Sequence, residues 1–319
     1  MSEPPPVLLT RRLPPRAMAL LSSRTALTCN PHDRELTREE LRRMIAGHHG
    51  LVAMLTDRID AEVLDAAPTL RVVANYAAGY NNIDLAAARA RGIVVTNTPG
   101  VLTDATADLT WALILGITRR VGEGERLVRA GRWTGWAPTQ LLGMDLRGAM
   151  LGVVGMGRIG RAVASRANGF GMRVVFTARR PMPDVDPDWR AASLPDLLAT
   201  ADVVSLHVPL TDQTRHLLGP DQLAMMKPTA YVVNTSRGSV IDEVALADAL
   251  EAGRIAGAAL DVYEREPQVH PRLLSSERVL LLPHLGSATT ETRERMGSMV
   301  VENLLAVLEG RRPPNAVDE

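Results

Sequence analysis

Arg237, Glu266 and His284 are the side chains of this sequence best suited to carry out chemistry together. Each follows an apolar run that predicts a buried strand, so a parallel sheet would bring all three to one edge. The histidine could give or take a proton near neutral pH, and a carboxylate beside it would favour its imidazolium form. The guanidinium could hold a carboxylate or a polarised carbonyl in a fixed fork. With a hydride source nearby, this set would suit the reduction of a ketone.

A single histidine on a loop is more often structural than catalytic. His284 differs because Arg237 and Glu266 are expected at the same sheet edge. The other histidines considered lack a comparable setting; they are His48, His49, His207, His216 and His270. No spacing of His, Cys, Asp and Glu resembles a metal site, and there is no nucleophile elbow or Walker loop.

A glycine-rich turn within Leu151–Gly160 predicts where a dinucleotide would bind. The stretch reads Leu-Gly-Val-Val-Gly-Met-Gly-Arg-Ile-Gly and lies between an apolar strand and a helical run. In this G-x-G-x-x-G pattern Gly155 permits a tight turn, Gly157 lets the backbone approach a pyrophosphate, and Gly160 lets the helix pack on the strand. The N–H groups and the positive dipole end of the helix would then face the anion.

The strand after this turn indicates which dinucleotide is bound. It ends Ala178-Arg179-Arg180, with Ala178 where NAD-binding folds carry an acid for the ribose 2′-OH. A carboxylate would repel a 2′-phosphate, whereas an arginine pair can bind it. The sequence therefore predicts NADP(H) as the preferred cofactor, with NAD(H) as an acceptable second. The alternative is two solvated arginines at a strand end.

Alternating strand and helix patterns predict two α/β units with parallel sheets. The first unit has five short apolar or β-branched runs, at Val7–Thr10, Thr25–Thr28, Leu51–Thr56, Leu70–Asn75 and Ile93–Thr96. The second has six, at Met150–Val154, Arg173–Thr177, Val203–Val208, Ala230–Asn234, Gly257–Val262 and Val279–Leu282.

The helical signals locate the crossings between the units. Thr37 begins a capping box, and a long apolar helix is expected from Asp104 to about Ala130 with Thr103 as its N-cap. Apolar residues all round that helix imply burial on more than one side, as between two domains or subunits. A closing helix over Thr289–Glu309 is expected to return to the first unit.

Composition limits the partners. The chain has 319 residues, enough for two domains, and its 36 Lys plus Arg balance 36 Asp plus Glu, so no net field favours nucleic acid or an anionic membrane. A single cysteine, Cys29, fits a reducing compartment. No apolar run approaches a membrane span, and the first residues do not resemble a signal peptide. A cytoplasmic location is the expectation.

The stretch Asn75–Asn82 follows the fourth predicted strand and contains small residues, including Ala78 and Gly79. Its backbone N–H groups could bind an anion. The alternative, equally compatible with the residues, is a glycine turn leading into the next helix.

Several of these motifs, in this order, resemble the D-isomer-specific 2-hydroxyacid dehydrogenase family, and most closely its glyoxylate and hydroxypyruvate reductases. The stretches that carry the resemblance are Val153–Gly160, Ala201–Leu210, Met226–Gly238 and Leu282–Thr289. It implies two doubly wound parallel-sheet domains: a flavodoxin-like substrate domain, residues 1–100 and 288–319, and an inserted Rossmann NADP-binding domain, residues 101–287. The family is usually dimeric, so a homodimer is expected.

The resemblance also implies roles for particular positions. Arg237 would hold the substrate carboxylate and carbonyl, and His284 would be the acid/base, paired with Glu266. Other positions implied to lie near the substrate are Leu55, Ala78, Gly79, Ser287 and, in the neighbouring subunit's site, Trp136. The cofactor would be lined, besides the three glycines, by Thr106, Arg158, Ile159, Arg179, Arg180, Val208, Pro209, Thr235, Arg237, Asp261 and Gly286.

The interpretation favoured is an NADP(H)-dependent reductase of small 2-oxo acids, glyoxylate or hydroxypyruvate first. Two alternatives stay open. One is an NAD-linked enzyme of the D-lactate or D-3-phosphoglycerate type, disfavoured by Ala178 and the short chain. The other is a nucleotide-sensing corepressor, which the intact triplet of Arg237, Glu266 and His284 does not exclude.

Overall fold

The structure is a computed structural model, and it describes residues 3–317. The chain forms two compact units. Unit 1 contains the residues up to Leu102 together with those from Ser287 onward, and unit 2 contains Thr103–Gly286.

Unit 1 is built on a five-stranded sheet in which every pairing is parallel. Its strands are β1 (Pro6–Leu9), β2 (Ala26–Cys29), β3 (Gly50–Ala53), β4 (Val72–Asn75) and β5 (Val94–Thr96). They lie in the order β2-β1-β3-β4-β5, which is the order of flavodoxin-like sheets. The helices are α1 (Pro15–Arg24), α2 (Arg38–Ile45), α3 (Ala61–Asp65), α4 (Leu85–Ala90) and, from the end of the chain, α12 (Thr290–Leu308).

Threonine side chains cap two helices of unit 1. Thr37 and Glu40 form the expected capping box on α2, and Thr289 caps α12 by accepting the Thr292 N–H. The closing helix packs against α1, β3 and β4, as predicted. Its buried face includes Val300 and Leu304, which complete the apolar cluster on one side of the sheet.

Unit 2 contains a seven-stranded sheet, also with parallel pairing throughout. Its strands are β6 (Met150–Val154), β7 (Arg173–Thr177), β8 (Arg190–Ala191), β9 (Val203–Leu206), β10 (Tyr231–Asn234), β11 (Gly257–Leu260) and β12 (Val279–Leu281). The order β12-β11-β10-β9-β6-β7-β8 is that of a dinucleotide-binding sheet with one further strand at the edge. The predicted fold class of two doubly wound parallel sheets is confirmed.

Helices cover both faces of this sheet. They are α5 (Thr103–Thr118), α6 (Val121–Arg129), α7 (Arg158–Ala167), α8 (Leu194–Thr200), α9 (Pro220–Ala224), α10 (Glu243–Glu251) and α11 (Pro271–Ser275). Two apolar clusters separate them from the strands. None of the helices in residues 3–317 is long and apolar enough to cross a membrane.

The structure corrects two local predictions. The single helix expected up to Ala130 is two helices, because Arg120 takes a left-handed φ of 52° and ends the first of them. Thr103 is the first helical residue rather than the cap. The sheet also has a seventh strand, β8, which was not predicted because its two residues are exposed and show no apolar pattern.

Candidate active site

The carboxyl edge of the unit 2 sheet brings together the three residues singled out first. Arg237 follows β10, Glu266 follows β11 and His284 follows β12, and these strands are neighbours in the order β12-β11-β10. In open parallel sheets ligands bind outside this edge. The parallel arrangement therefore converts three distant sequence positions into one local cluster.

His284 and Glu266 form a hydrogen-bonded pair. The Nδ1 atom of His284 lies 2.8 Å from Oε2 of Glu266, and Oε1 of Glu266 accepts the Tyr263 N–H at 3.1 Å. The side chains of the pair are about a quarter exposed, at 28% and 25%. With Nδ1 held by the carboxylate, Nε2 is the nitrogen left to exchange a proton with a substrate.

The backbone at His284 is in the left-handed region, with φ at 55°. Asp261, which follows β11, stabilises this turn: its two carboxylate oxygens accept the N–H groups of Leu285 at 2.6 Å and Gly286 at 2.8 Å. The His284 N–H donates to the Asp261 carbonyl. Left-handed non-glycine residues persist only where their surroundings hold them, and here the buried Asp261 does so.

Electrostatics favour the ionised form of Glu266. Burial by itself would raise the pKa of Glu266, but the hydrogen bond from His284 and the positive charge nearby outweigh it and lower that pKa. Burial lowers the pKa of the Arg237 guanidinium, which Glu266 opposes. A guanidinium remains protonated throughout the ordinary pH range. Glu266 is thus an ionised carboxylate beside both a histidine and an arginine.

Close backbone packing fixes Arg237 against the loop that carries Glu266. A Cβ added at Gly238 would lie 1.8 Å from the Tyr263 carbonyl carbon, so only glycine allows this approach. The Asn234 side chain donates to the Arg237 carbonyl at 2.9 Å, and Arg237 Nη1 donates to the Ser236 carbonyl at 2.7 Å. The turn after β10 is consequently rigid at its backbone.

The glycine turn between β6 and α7 has the geometry that a phosphate-binding loop needs. Gly155 takes a φ of 96°, and a Cβ there would lie 2.7 Å from the His207 carbonyl oxygen. A Cβ at Gly160 would lie 2.1 Å from the Gly155 oxygen, whereas one at Gly157 would meet nothing within 4 Å. Gly157 is the N-cap of α7, so the exposed backbone there can be approached by an anion. These residues fit a dinucleotide.

At the end of β7 the side chains of Arg179 and Arg180 are exposed, and so is Ala178. The Gly155 N–H donates to the Thr177 carbonyl at 3.0 Å, which joins the end of this strand to the glycine turn. The two arginines therefore lie beyond the same sheet edge as the turn.

The remaining positions expected to line the cofactor lie around this edge. Thr106 donates its hydroxyl to the Gly286 carbonyl at 3.0 Å, and the hydroxyls of Thr110 and Thr235 are 2.9 Å apart. The others follow strands or begin α7; they are Arg158, Ile159, Val208 and Pro209.

In unit 1, two carbonyls of the loop after β4 are anchored by side-chain amides. Asn75 donates to the Gly79 oxygen at 2.9 Å and Asn97 donates to the Ala78 oxygen at 2.7 Å. Within residues 3–317, the N–H groups of Ala78 and Gly79 have no hydrogen-bond partner. With the carbonyls held, these N–H groups can serve an anion.

Three further positions expected near the substrate lie on other segments of the chain. Leu55 is an exposed residue of the turn after β3, and Ser287 precedes α12; both belong to unit 1. Trp136 belongs to unit 2, where its side chain is 82% exposed on the segment after α6.

Sequence reasoning did not identify the residues that support this site. Tyr263 donates its N–H to Glu266 and its hydroxyl to the Leu282 carbonyl at 2.7 Å, two residues before His284. Asn75 and Asn97, at the ends of β4 and β5, were also missed. Position after a strand was the available signal for all of them, but it does not show which backbone group each side chain would reach.

The cluster on a dinucleotide-type sheet defines a nicotinamide-dependent oxidoreductase, and comparison with known proteins agrees. Residues 111–286 match the family described as D-isomer specific 2-hydroxyacid dehydrogenase, NAD binding domain. The chain belongs to this family and is an NAD(P)-dependent oxidoreductase, which sets aside the corepressor alternative.

Several similar proteins carry names more specific than that of the family. A glyoxylate reductase of Thermococcus onnurineus is 46% identical over 98% of this chain and 96% of its own length. A crystal structure of a Thermus thermophilus protein is 51% identical, with a TM-score of 0.92 over 98% of this chain and all of that one. An NADPH-dependent glyoxylate/hydroxypyruvate reductase from Sinorhizobium meliloti, in complex with NADP and malonate, is 34% identical with a TM-score of 0.88 over 99% and 97%. The chain is therefore similar to glyoxylate reductases.

Proposed function

We propose that this protein reduces small 2-oxo acids, glyoxylate and hydroxypyruvate, to 2-hydroxy acids with NADP(H) and with His284 as the acid/base. The observation that carries the proposal is the hydrogen bond between His284 and Glu266 next to Arg237, at the carboxyl edge of a dinucleotide-type sheet. The similarity to glyoxylate reductases supports the substrate class.

Each residue has a distinct task in the reaction. A bound reduced nicotinamide supplies the hydride that adds to C2 of the oxo acid. Arg237 binds the substrate carboxylate and its carbonyl oxygen, which draws electron density from C2. The imidazolium of His284 gives its Nε2 proton to that oxygen as the negative charge develops, and Glu266 stabilises the imidazolium beforehand. The product is the 2-hydroxy acid, and the reverse reaction uses neutral His284 as base.

In unit 1, the loop after β4 is proposed to bind a carboxylate. Ala78 and Gly79 offer N–H groups whose carbonyls are fixed by Asn97 and Asn75, and Leu55 and Ser287 complete the substrate positions. The two outer parts of the chain would then form the substrate domain, and residues 101–287 the NADP-binding domain, with Asp261 shaping the turn from Leu285 to Gly286.

His284→Gln tests the chemistry directly. General acid catalysis contributes roughly 10²–10⁴-fold, so kcat with glyoxylate and NADPH should fall by at least about 100-fold while the KM for NADPH stays near its original value. The measurement is NADPH oxidation over a panel of 2-oxo acids, with the exposed His32→Gln as matched control. Unchanged turnover of His284→Gln would remove His284 from the mechanism.

The preference for NADP(H) is proposed from Arg179 and Arg180 beside Ala178. Charge-assisted hydrogen bonds to a 2′-phosphate contribute about 2 kcal/mol, or about 30-fold in affinity. The double variant R179A/R180A should raise the KM for NADPH by about that factor and leave the KM for NADH unchanged. An exposed arginine of α1, Arg16→Ala, is the control. A native enzyme that prefers NADH would overturn this part and favour the NAD-linked types.

A homodimer is proposed through the α6 region. No residue of α6 is buried, and five large apolar side chains from this region are exposed in the described chain: Val121, Val128, Trp133, Trp136 and Leu142. Apolar exposure on this scale marks a protein interface. The proposed occupant is a second copy of the chain, with Trp136 reaching the neighbouring site.

Val128→Glu tests the dimer, because it introduces a charge into the proposed contact. Light scattering should give twice the chain mass for the native protein and a single chain mass for the variant. Glutamate at another exposed apolar position, Leu274 on α11, should leave the mass unchanged. A monomeric native protein would overturn the proposal.

A further inference from the structure

The segment Tyr263–His270 after β11, here called the carboxylate loop, carries the partner of His284. It contains its own reverse turn, in which the Gln268 N–H donates to the Arg265 carbonyl at 2.8 Å. Its first residues contact Gly238, and its last residue precedes α11. The position of Glu266 therefore depends on what holds the two ends of this loop.

One side chain from a different element holds the start of this loop. Glu243 is the first residue of α10, and only 8% of it is exposed. Its Oε1 atom accepts the N–H of Glu264, two residues before Glu266, at 2.8 Å.

The environment of Glu243 indicates that its carboxylate serves to bind a backbone N–H. Burial raises its pKa and the Glu264 carboxylate adds to the rise, whereas the hydrogen bond from the Glu264 N–H acts in the opposite direction. Within residues 3–317, no arginine or lysine forms an ion pair with it. A buried carboxylate without a cationic partner is costly unless an N–H group satisfies it, so this hydrogen bond accounts for its presence.

We propose that Glu243 is a positioning residue for the reaction: it holds the start of the carboxylate loop through Glu264 and so keeps Glu266 in line with His284. The inference rests on the proposed role of the His284–Glu266 pair. Glu266 uses Oε1 for the Tyr263 N–H and Oε2 for His284 Nδ1. A shift of the loop would therefore weaken the hydrogen bond that orients the acid/base.

The contact between Glu243 and Glu264 is reciprocal. The Oε1 atom of Glu264 accepts the Glu243 N–H at 3.5 Å, and the same atom lies 2.6 Å from Nε2 of His216. Glu264 therefore meets Glu243 through both its backbone and its carboxylate.

Two substitutions at Glu243 separate positioning from folding. E243A removes the carboxylate that accepts the Glu264 N–H, whereas E243Q keeps an amide oxygen that can accept it. We expect kcat with glyoxylate and NADPH to fall about tenfold in E243A, to recover to within about threefold in E243Q, and the KM for NADPH to be unaffected in both. The matched control is D202A. Asp202 is also a half-buried carboxylate, and it accepts the backbone N–H of Met150 at 2.8 Å. It directly precedes β9, at the end of that strand away from the candidate active site. D202A should lower stability but not kcat.

A double-mutant cycle with E266Q shows whether Glu243 acts through Glu266. If it does, E243A has little further effect on kcat in the E266Q background. If the two substitutions act independently, their fold-reductions in kcat multiply. Hydrogen exchange of the full chain gives a readout besides activity: E243A should speed exchange in residues 263–270, and D202A should not.

The outcomes separate the two proposals. A native enzyme inactive on every 2-oxo acid defeats the proposed function, while the exchange data still decide the inference about the loop. An active native enzyme whose E243A variant shows unchanged kcat, unchanged exchange or full multiplicativity with E266Q overturns the positioning role.

Discussion

Two histidines of unit 2 illustrate how surroundings divide a side-chain type between chemistry and structure. His284 is partly exposed beside an ionised carboxylate, whereas the half-buried His207 follows β9 with Nε2 2.8 Å from the Ser205 hydroxyl. Burial lowers the pKa of His207 to about 3. The backbone carbonyl of His207 lies against Gly155, so His207 packs on the glycine turn.

The His207 ring makes stability depend on pH. The pKa of His207 is about 3 in the folded chain and has its usual value of 6.5 in the unfolded chain. Between these values the unfolded chain binds one more proton, so folding stability falls as the pH is lowered through this window, by about 1.4 kcal/mol per pH unit. From pH 7 to pH 5, native protein should therefore lose about 2 kcal/mol more than His207→Gln.

Denaturant unfolding of both proteins at the two pH values measures this difference. Glutamine can still hydrogen-bond with Ser205 but cannot be protonated in this range. Equal losses in the two proteins would show that His207 already takes up its proton in the folded state.

At the scale of elements, the turn from β6 into α7 places two glycines under different constraints. Gly160 faces the Gly155 backbone at a distance that no side chain can share, so its role is packing of the helix on the strand. A Cβ at Gly157 would meet nothing within 4 Å, so this glycine is not required by packing within the chain.

Gly157→Ala and Gly160→Ala should consequently fail in different ways. The first keeps the unfolding free energy within about 1 kcal/mol and raises the KM for NADPH, because a methyl group would occupy the approach to the pyrophosphate. The second lowers the unfolding free energy by about 2 kcal/mol or more, because backbone must move. Calorimetry together with cofactor titration distinguishes them. A stable Gly160→Ala protein with normal cofactor binding would contradict this assignment.

At the scale of the whole molecule, the chain leaves unit 1 near Leu102 and returns at Ser287, so the last helix completes a core that the first strands began. Leu304 of α12 is fully buried, and its Cδ1 atom comes so close to Gly50 of β3 that a Cβ there would lie 2.8 Å away. The core of unit 1 is thus incomplete until synthesis reaches α12.

Leu304→Ala should weaken unit 1 selectively. Loss of a buried leucine costs about 2–5 kcal/mol, and the affected cluster belongs to unit 1 alone. In differential scanning calorimetry, NADPH should raise the transition of unit 2 by mass action, while the substitution lowers the other transition. If both transitions fall together, the two units unfold as one and the assignment is wrong.

The sequence was most informative where one local rule decides. Strands such as β6 and β7 were located to the residue because buried β-branched runs bounded by glycine have few alternatives, and Thr37 was recognised as a helix start by its capping box. Neighbouring strand ends allowed Arg237, Glu266 and His284 to be grouped.

The features that the sequence did not predict depend on contacts between residues far apart in the chain. The break falls on Arg120, a left-handed residue that is neither glycine nor proline, and the two residues of β8 form a strand by pairing with β7. Glu243 and Tyr263 reach backbone groups of a loop about twenty residues away or of a neighbouring strand, and no spacing in the sequence encodes such hydrogen bonds.

The anchors of the loop after β4 have a consequence for how the reaction would respond to acidity. Asn75 and Asn97 hold the carbonyls of Gly79 and Ala78, and neither amide titrates. The N–H groups presented by this loop would therefore attract a carboxylate equally well in mildly acidic and alkaline solution.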